Sequence, residues 1–349
     1  MTWGVGIIGA GPGVAALHAP VLARTGGTFR LAHVADAGSG RAAAIAQAFG
    51  ARASTGTADL LADPEVDVVA VCSPPALHAG QVLDAVAAGK RAVFCEKPLA
   101  TTAGDARRAV GACAEAGVAL VVGTNHLFDP AWARAKHHVD ALREPVVAVT
   151  ATLALAPNSR YHAVVSGAAP RAGGGSGGRP PLDLSVAAVR AGLVRQLVVG
   201  LAVHDLPLVR DLLPAPQRVE HARAVAPLGL DLVLRAGSAL VRFSAVMVAE
   251  GADTLWRLTV HTAGDRVEVE FPPPFVHAGS ARVSVRDAAG RCTRYPVEPV
   301  DGYVAEWTAL ADLLRGGHGA EYAEVLADAE QVVAIADAAE RFVLDGASA

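Results

Sequence analysis

The sequence predicts an α/β chain in two parts: a parallel sheet covered by helices over residues 1–123, then an α+β domain over residues 124–349 on a largely antiparallel open sheet. Three observations predict it. Up to Gly123, short apolar runs alternate with Ala-rich amphipathic stretches, the pattern of strands buried on both faces by crossover helices. Beyond Gly123, segments appear in which every second residue is apolar, as a sheet with one buried face requires. The length, 349 residues, exceeds the roughly 100–200 typical of one domain.

Taken in order, residues 5–8, 30–35, 66–72, 92–95 and 118–122 read as buried strands. Residues 14–22, 41–49 and 79–88 read as the helices between them. Residues 130–142 form one helix, after which strands are expected at 146–155, 231–235, 240–248, 257–261, 267–271 and 282–287. Ala263-Gly264-Asp265 is a turn signal, so 257–261 and 267–271 should form a hairpin. Near the end, Tyr303, Trp307, Leu310 and Leu314 fall at helical spacing, and Val325, Ala329, Val332, Ala336 and Ala339 continue it. The segment 167–181, rich in Gly and closing on Pro180-Pro181, is expected to be a mobile loop.

Composition narrows the partners. Hydrophobic residues make up 52% and charged residues 18%, enough for large cores and against general disorder. A net charge of -4 with scattered Lys and Arg leaves no basic footprint, which argues against nucleic acid. Mean hydropathy is +0.35, but no run approaches the ~20 apolar residues of a membrane span, and no export signal opens the chain. Cys72, Cys95, Cys113 and Cys292 are too widely spaced for a disulfide framework or a metal site, so a reducing cytoplasm is expected and no metal. An apolar outer sheet face, with Val and Leu in segments such as 240–248, suggests self-association as a homo-oligomer.

The first strand runs directly into Gly9-Ala10-Gly11-Pro12-Gly13, and Val14 opens a helix. That is the context of a dinucleotide site: glycine allows the tight turn and close approach of a pyrophosphate, which rests on the helix N-terminus. The usual third glycine position holds Val14, and Gly13 lies one residue early. Asp36 ends the second strand 23 residues after Gly13, near the ~20 expected for a carboxylate that accepts the ribose hydroxyls. Its charge repels a 2'-phosphate and favours NAD; Arg41 nearby softens that choice and keeps NADP open.

Further motifs complete a pattern. Cys95-Glu96-Lys97-Pro98-Leu99-Ala100 follows the fifth strand, Ser73-Pro74-Pro75-Ala76-Leu77-His78 the fourth, and Ala88-Gly89-Lys90 precedes the fifth; Asn125-His126-Leu127-Phe128-Asp129-Pro130 and Val203-His204-Asp205 come later. As a set these resemble the Gfo/Idh/MocA oxidoreductases, from about residue 4 to 345. The resemblance implies an N-terminal Rossmann domain and hydride transfer between the nicotinamide of NAD(P) and a hydroxyl-bearing carbon of a sugar, cyclitol or related polyol. It implies that Lys97, after a cis Lys97–Pro98 bond, hydrogen-bonds the reacting oxygen and that His204 is the acid/base. Gly9, Gly11, Pro12, Gly13, Val14, Asp36, Arg41, Ser73, Pro74, His78, Glu96 and Lys97 would line the cofactor; Lys97, Asn125, His126 and His204 the substrate.

The pattern departs from the family at two places. The Asp often found four residues before the His is Gly200, and His126 stands where Arg is common, suggesting a substrate not anchored by a permanent cation. Asp205 points about 100° away from His204 on a helix, so it is not assumed to substitute. Blander readings stay open: Lys97 a solvated lysine, His204 a helix histidine bonded internally, His78 a first-turn residue, His18 only part of the first helix, and the 167–181 loop a surface insertion rather than a lid carrying Arg171 and Arg179. Two other functions remain: a redox-neutral lyase or epimerase using tightly bound NAD, and a non-catalytic dinucleotide-binding regulator.

Overall fold

A computed structural model describes residues 2–158, 160–162, 182–214, 217–248, 254–317 and 321–346, which form two compact units. The loop expected at 167–181, with Arg171 and Arg179, lies outside the described residues.

The first unit comprises Met1–Thr124 and Tyr303–Glu330. Its sheet has six parallel strands, β1 (Trp3–Ile8), β2 (Phe29–Asp36), β3 (Arg52–Thr55), β4 (Val68–Val71), β5 (Ala92–Glu96) and β6 (Ala119–Gly123), in the order β3-β2-β1-β4-β5-β6. The chain therefore winds outward from β1 in both directions, and ligands of such sheets bind beyond the carboxyl ends of the strands where the direction reverses, here β1 and β4. The central strands are buried throughout because helices cover both faces: every residue of β1 and β4 is buried.

The helix after β1 differs from the expected one. Val14–His18 is a π turn, followed by an α-helical turn over Ala19–Ala23. Pro20 lacks the N–H that would bond to Ala16, so the α ladder cannot run through from Val14.

Residues 303–330, expected in the second domain, belong to the first unit. The cause is aromatic: Trp307, on the helix Gly302–Leu314, is fully buried, stacks on Phe94 of β5 at 4.8 Å and meets Phe29 of β2 edge-on at 5.1 Å. The start of the last helix, Tyr322–Asp345, packs Val325, Leu326 and Ala329 against the core on the other face of that sheet, which includes Val93 and Cys95, and Tyr322 donates to the Val118 carbonyl at 2.9 Å.

The second unit comprises Asn125–Gly302 and Gln331–Ala349. Its eight-stranded sheet contains β7 (Ala148–Leu155), β8 (Gln217–Val225), β9 (Gly229–Ala236), β10 (Ala239–Met247), β11 (Leu255–His261), β12 (Arg266–Glu270), β13 (Arg282–Arg286) and β14 (Cys292–Arg294). The order is β14-β13-β12-β11-β7-β10-β9-β8, antiparallel except where β10 joins β7. Alternation aligns one apolar row across six strands: Leu232, Phe243, Ala151, Leu258, Val269 and Val283 are paired in register and buried. The β11–β12 hairpin forms as expected. Helices Pro130–Leu142 and Ala187–Gly200 contribute Trp132, Ala135, Val194 and Val198 to that core.

The opposite face is not the apolar surface expected. Arg242 and Arg223 pair with Asp231, Arg235 with Glu220, and Arg257 with Glu270; Leu240, 37% exposed, is the large apolar residue there. Residues 187–204 are apolar enough over 18 residues to cross a membrane (mean hydropathy 1.3), but Leu193, Val194, Leu197 and Val198 face the protein core, which explains the composition.

Candidate active site

In the first unit, the turn after β1 is shaped by Gly9. Its φ is +110°, its N–H donates to Ala35 O at 2.8 Å, and a Cβ there would lie 2.4 Å from Cys72 O on the strand-end loop of β4. Gly11 differs: a Cβ on it would meet no atom within 4 Å, so its backbone borders open space. Gly13 has helical dihedrals, and the Val14 N–H bonds back to Gly11 O at 3.0 Å, closing the turn with Pro12 exposed at its tip. A backbone lying open at the carboxyl end of β1 fits the pyrophosphate of a dinucleotide.

Asp36 ends β2 as expected. Its carboxylate accepts from Gly38 N at 2.8 Å and from the Ser39 hydroxyl, and these two bonds, Ser39 first, hold its pKa below the ordinary aspartate value. Arg41 Nε also donates to Ser39 Oγ, at 3.2 Å, so the guanidinium that could receive a 2'-phosphate is partly engaged.

Lys97 follows β5, and the Lys97–Pro98 peptide is cis. Burial pushes its ammonium below the usual lysine range, while the charge of Glu96 works the other way. Glu96 does not simply face outward: Oε1 meets His18 Nε2 at 3.0 Å, and Oε2 accepts from the Lys97 N–H at 3.2 Å. Its own burial would raise its pKa, but the His18 hydrogen bond and charge outweigh that and hold it low. Burial acts to lower the His18 pKa, yet its bonds to Cys72 and Glu96 hold it well above the ordinary imidazole value. The Cys72 thiol is pushed up by burial, so the carboxylate is the charge His18 answers. His18 was missed in the sequence; a lone histidine on an amphipathic stretch carries no signal of a partner 78 residues away.

His78 is a brace. Its Nδ1 lies 2.8 Å from Pro98 O and its Nε2 2.8 Å from Ser73 O, so one imidazole ties the loop after β4 to the loop after β5. Ser73 Oγ donates to Gln81 at 2.6 Å, and Pro74 leads extended into the next helical turn.

In the second unit, Asn125 and His126 lie on the short helix Asn125–Phe128, and His204 ends the turn Ala202–His204. The start of that short helix is pinned: a Cβ on Gly302 would lie 2.0 Å from Asn125 O, so only glycine permits this approach. Behind it, Asp129 caps the helix Pro130–Leu142 through Ala131 N at 2.8 Å and takes Ala281 N at 2.9 Å; burial raises its pKa.

His204 Nδ1 lies 2.9 Å from Asn125 Oδ1, which assigns the proton of the neutral ring to Nδ1 and the lone pair to Nε2. His126 sits 5.3 Å away between ring centroids, stacked on Phe271 at 3.6 Å and edge-on to Trp256 at 4.6 Å. Its Nδ1 lies 3.1 Å from Asp205 Oδ1; Trp256 Nε1 donates to both oxygens of the same carboxylate, at 3.1 and 3.0 Å. Asp205 is fully buried. Gly200, by contrast, has open space where a Cβ would be. Thus Asn125, His126 and His204 lie together, with Asp205, Trp256 and Phe271 around them. No cluster of three metal-binding side chains occurs among the described residues.

Comparison with known proteins fits these features. A family model described as an oxidoreductase family with an NAD-binding Rossmann fold matches residues 3–124. An inositol 2-dehydrogenase of Saccharopolyspora erythraea is 41% identical over 142 residues, 40% of this chain. A second from the same organism is 42% identical over 145 residues, 41% of this chain. The matched stretch spans only 41% and 42% of those two proteins. A 1,5-anhydro-D-fructose reductase of Ensifer adhaerens is 30% identical over 280 residues, 76% of this chain and 74% of that protein. Among solved structures, a 3-ketoreductase of Actinomadura kijaniata in complex with NADP and TDP-benzene shares the fold, with a TM-score of 0.73 at 18% identity, covering 96% of this chain and 97% of that one.

Proposed function

The chain belongs to the Gfo/Idh/MocA family of oxidoreductases, and from that premise we propose that it is an NAD(P)-dependent dehydrogenase or ketoreductase acting on a sugar, cyclitol or related polyol. The observation that carries this reading lies within the first unit: the open Gly11 backbone at the end of β1 accompanies a desolvated Lys97 at the end of β5. Gly11 borders the dinucleotide phosphates on the turn that Gly9 shapes, and Asp36 takes the adenosine ribose hydroxyls, favouring NAD. The bound nicotinamide supplies hydride exchange at its C4. Lys97 donates a hydrogen bond to the reacting oxygen. His204, with Asn125 against its Nδ1, is the acid/base for the hydroxyl proton. Relatives named inositol 2-dehydrogenase and 1,5-anhydro-D-fructose reductase support the substrate class.

The test is a panel of polyols with NAD and keto-sugars with NADH, read at 340 nm. Turnover that Lys97→Ala abolishes, with cofactor affinity within about threefold, supports the reading. Bound cofactor that never changes oxidation state with any of them argues for a regulator. Product without net NADH, with substrate hydrogen exchanging into solvent, argues for the redox-neutral lyase or epimerase.

The same reading places the protein in a reducing cytoplasm, supported by described cysteines that are free thiols. Self-association through the outer face of the eight-stranded sheet stays part of the proposal, although that face carries arginine–carboxylate pairs within the chain instead of the apolar surface first expected. Solution mass by light scattering at 50 mM and 1 M salt checks this: an oligomer is expected at low salt, and a monomer at both contradicts it.

A further inference from the structure

We propose that His18 is a positioning residue for Lys97 that acts through Glu96: the imidazole holds the carboxylate against the Lys97 backbone and answers its charge, so that the lysine ammonium is set by the His18–Glu96 pair and not by a lone carboxylate. This rests on the reading of Lys97 as the donor to the reacting oxygen.

The argument starts from how His18 reaches the end of β5. Because Pro20 breaks the α ladder, Val14–His18 closes as a π turn, with the Ala19 N–H bonded back to the Val14 carbonyl. His18 ends that turn, is buried, and brings its Nε2 to 3.0 Å from Glu96 Oε1. The turn is continuous with Gly11, whose carbonyl takes the Val14 N–H, so the segment that would border the cofactor phosphates also carries the imidazole. Glu96 is held from two further sides. Its Oε2 accepts the Lys97 N–H at 3.2 Å, and Gly123 of β6 makes room for it, since a Cβ there would lie 3.1 Å from Oε1. A buried imidazole set on a carboxylate costs desolvation that an apolar pair would avoid, so packing alone does not call for it.

The charges follow from the surroundings. Burial works to lower the His18 pKa, but its contacts with Cys72 and Glu96 outweigh that and hold it well above the ordinary imidazole value. Burial works to raise the Glu96 pKa, and the hydrogen bond and charge of His18, with the charges of Lys97 and His78, hold it low. The pair is therefore an imidazolium facing a carboxylate at neutral pH. The other titratable groups around it are the Cys72 thiol after β4, kept neutral by burial, His78 at the start of the helix His78–Ala87, and Glu306 on the helix Gly302–Leu314, whose charge reaches Cys72. Burial lowers the Lys97 pKa and Glu96 raises it. A carboxylate already paired with an imidazolium raises it less, so His18 leaves the ammonium more acidic and a stronger donor to an oxygen that gains negative charge.

The experiment reads Lys97 directly, which is practical because the chain has three lysines, Lys90, Lys97 and Lys136. In the cofactor-free full chain labelled with 13C-lysine, the Lys97 signal, identified by its loss in Lys97→Arg, is titrated by NMR. His18→Gln keeps an amide donor for Glu96 and removes the charge, so the Lys97 midpoint should rise by about 0.5 in pH or more. Glu96→Gln should lower it, and the double variant should match Glu96→Gln to within about 0.2 in pH, because His18 acts through the carboxylate. In the otherwise unaltered protein, 15N-histidine NMR should show an imidazolium that persists above the ordinary 6.5 and becomes neutral in Glu96→Gln, a reading that does not require the His18 variant. A Lys97 midpoint unmoved or lowered in His18→Gln, even alongside a fall in Tm, overturns the inference, as does the absence of that imidazolium. A rise that survives in the Glu96→Gln background overturns it too. Lys97 moving as expected in a protein that never turns over a polyol supports the inference and overturns the dehydrogenase reading instead, whereas turnover with an unmoved Lys97 does the reverse.

Discussion

Asp205 is hydrogen-bonded to His126, 79 residues earlier in the chain, at 3.1 Å between Oδ1 and Nδ1. The carboxylate next to His204 in sequence therefore orients the other histidine of the cluster, while Asn125 orients His204. The first prediction comes from that division of labour. Asn125→Ala removes the acceptor that fixes the His204 tautomer, so kcat should fall about 10- to 100-fold with KM changing less, the scale of a misplaced general base. Steady-state kinetics check it; a rise in KM alone would make Asn125 a simple substrate ligand.

Two glycines of one turn should behave differently. Gly9→Ala forces a side chain into a positive-φ residue and against Cys72 O, which costs at least about 1–3 kcal/mol of stability and lowers Tm. Gly11→Ala meets no protein atom, so Tm should hold while NAD affinity falls, because the added methyl occupies the space a phosphate needs. Thermal melts and cofactor titrations read both. Equal losses of affinity with no change in Tm would contradict the assignment of Gly9 to the fold.

The alkaline limb of kcat/KM reports Lys97. Burial holds its pKa below the ordinary 10.5, so the limb should begin earlier than for an exposed lysine. Glu96 raises that pKa, so Glu96→Gln removes the opposing charge and should shift the limb further down in pH. A shift upward would mean that Glu96 does not act electrostatically on Lys97.

Stability should also vary with pH through His18 and Glu96. The His18 pKa is raised on folding, so its contribution is complete below about the ordinary 6.5 and is lost as pH climbs through the folded value. The Glu96 pKa is lowered, so its contribution is present above the ordinary 4.5 and lost as pH falls through the folded value. The pair thus stabilises most between those limits, and His18→Asn should flatten both flanks of a Tm-against-pH curve. An unchanged curve would show that the pair contributes nothing net.

Strands buried on both sides were legible because burial writes an apolar run: β1, β2, β4, β5 and β6 all stand in the sequence. The strands that were not, β3, β8 and β14, are all sheet edges. Arg52–Thr55 has no buried residue and Cys292–Arg294 is exposed throughout, so neither carries the pattern. Trp307 was visible as part of a helical stripe, but nothing local says which unit a stripe covers. In the site, Asn125, His126 and His204 were legible as motif residues, whereas Phe271 read as the end of an ordinary hairpin strand and Trp256 lay just before the other expected strand, 257–261. Their role depends on Asp205, which lies 51 residues from Trp256 in the chain.

The measurement that bears most directly on the central claim follows the hydride itself. Substrate deuterated at the carbon bearing the reacting hydroxyl is incubated with NAD and the protein, and the nicotinamide is recovered for mass and NMR analysis. The account predicts deuterium at C4 of the reduced nicotinamide on one face, in amounts matching ketone formed, and none when Lys97 is replaced by Ala. Deuterium lost to water with no labelled NADH, or a nicotinamide that never gains it from any polyol, would contradict the account.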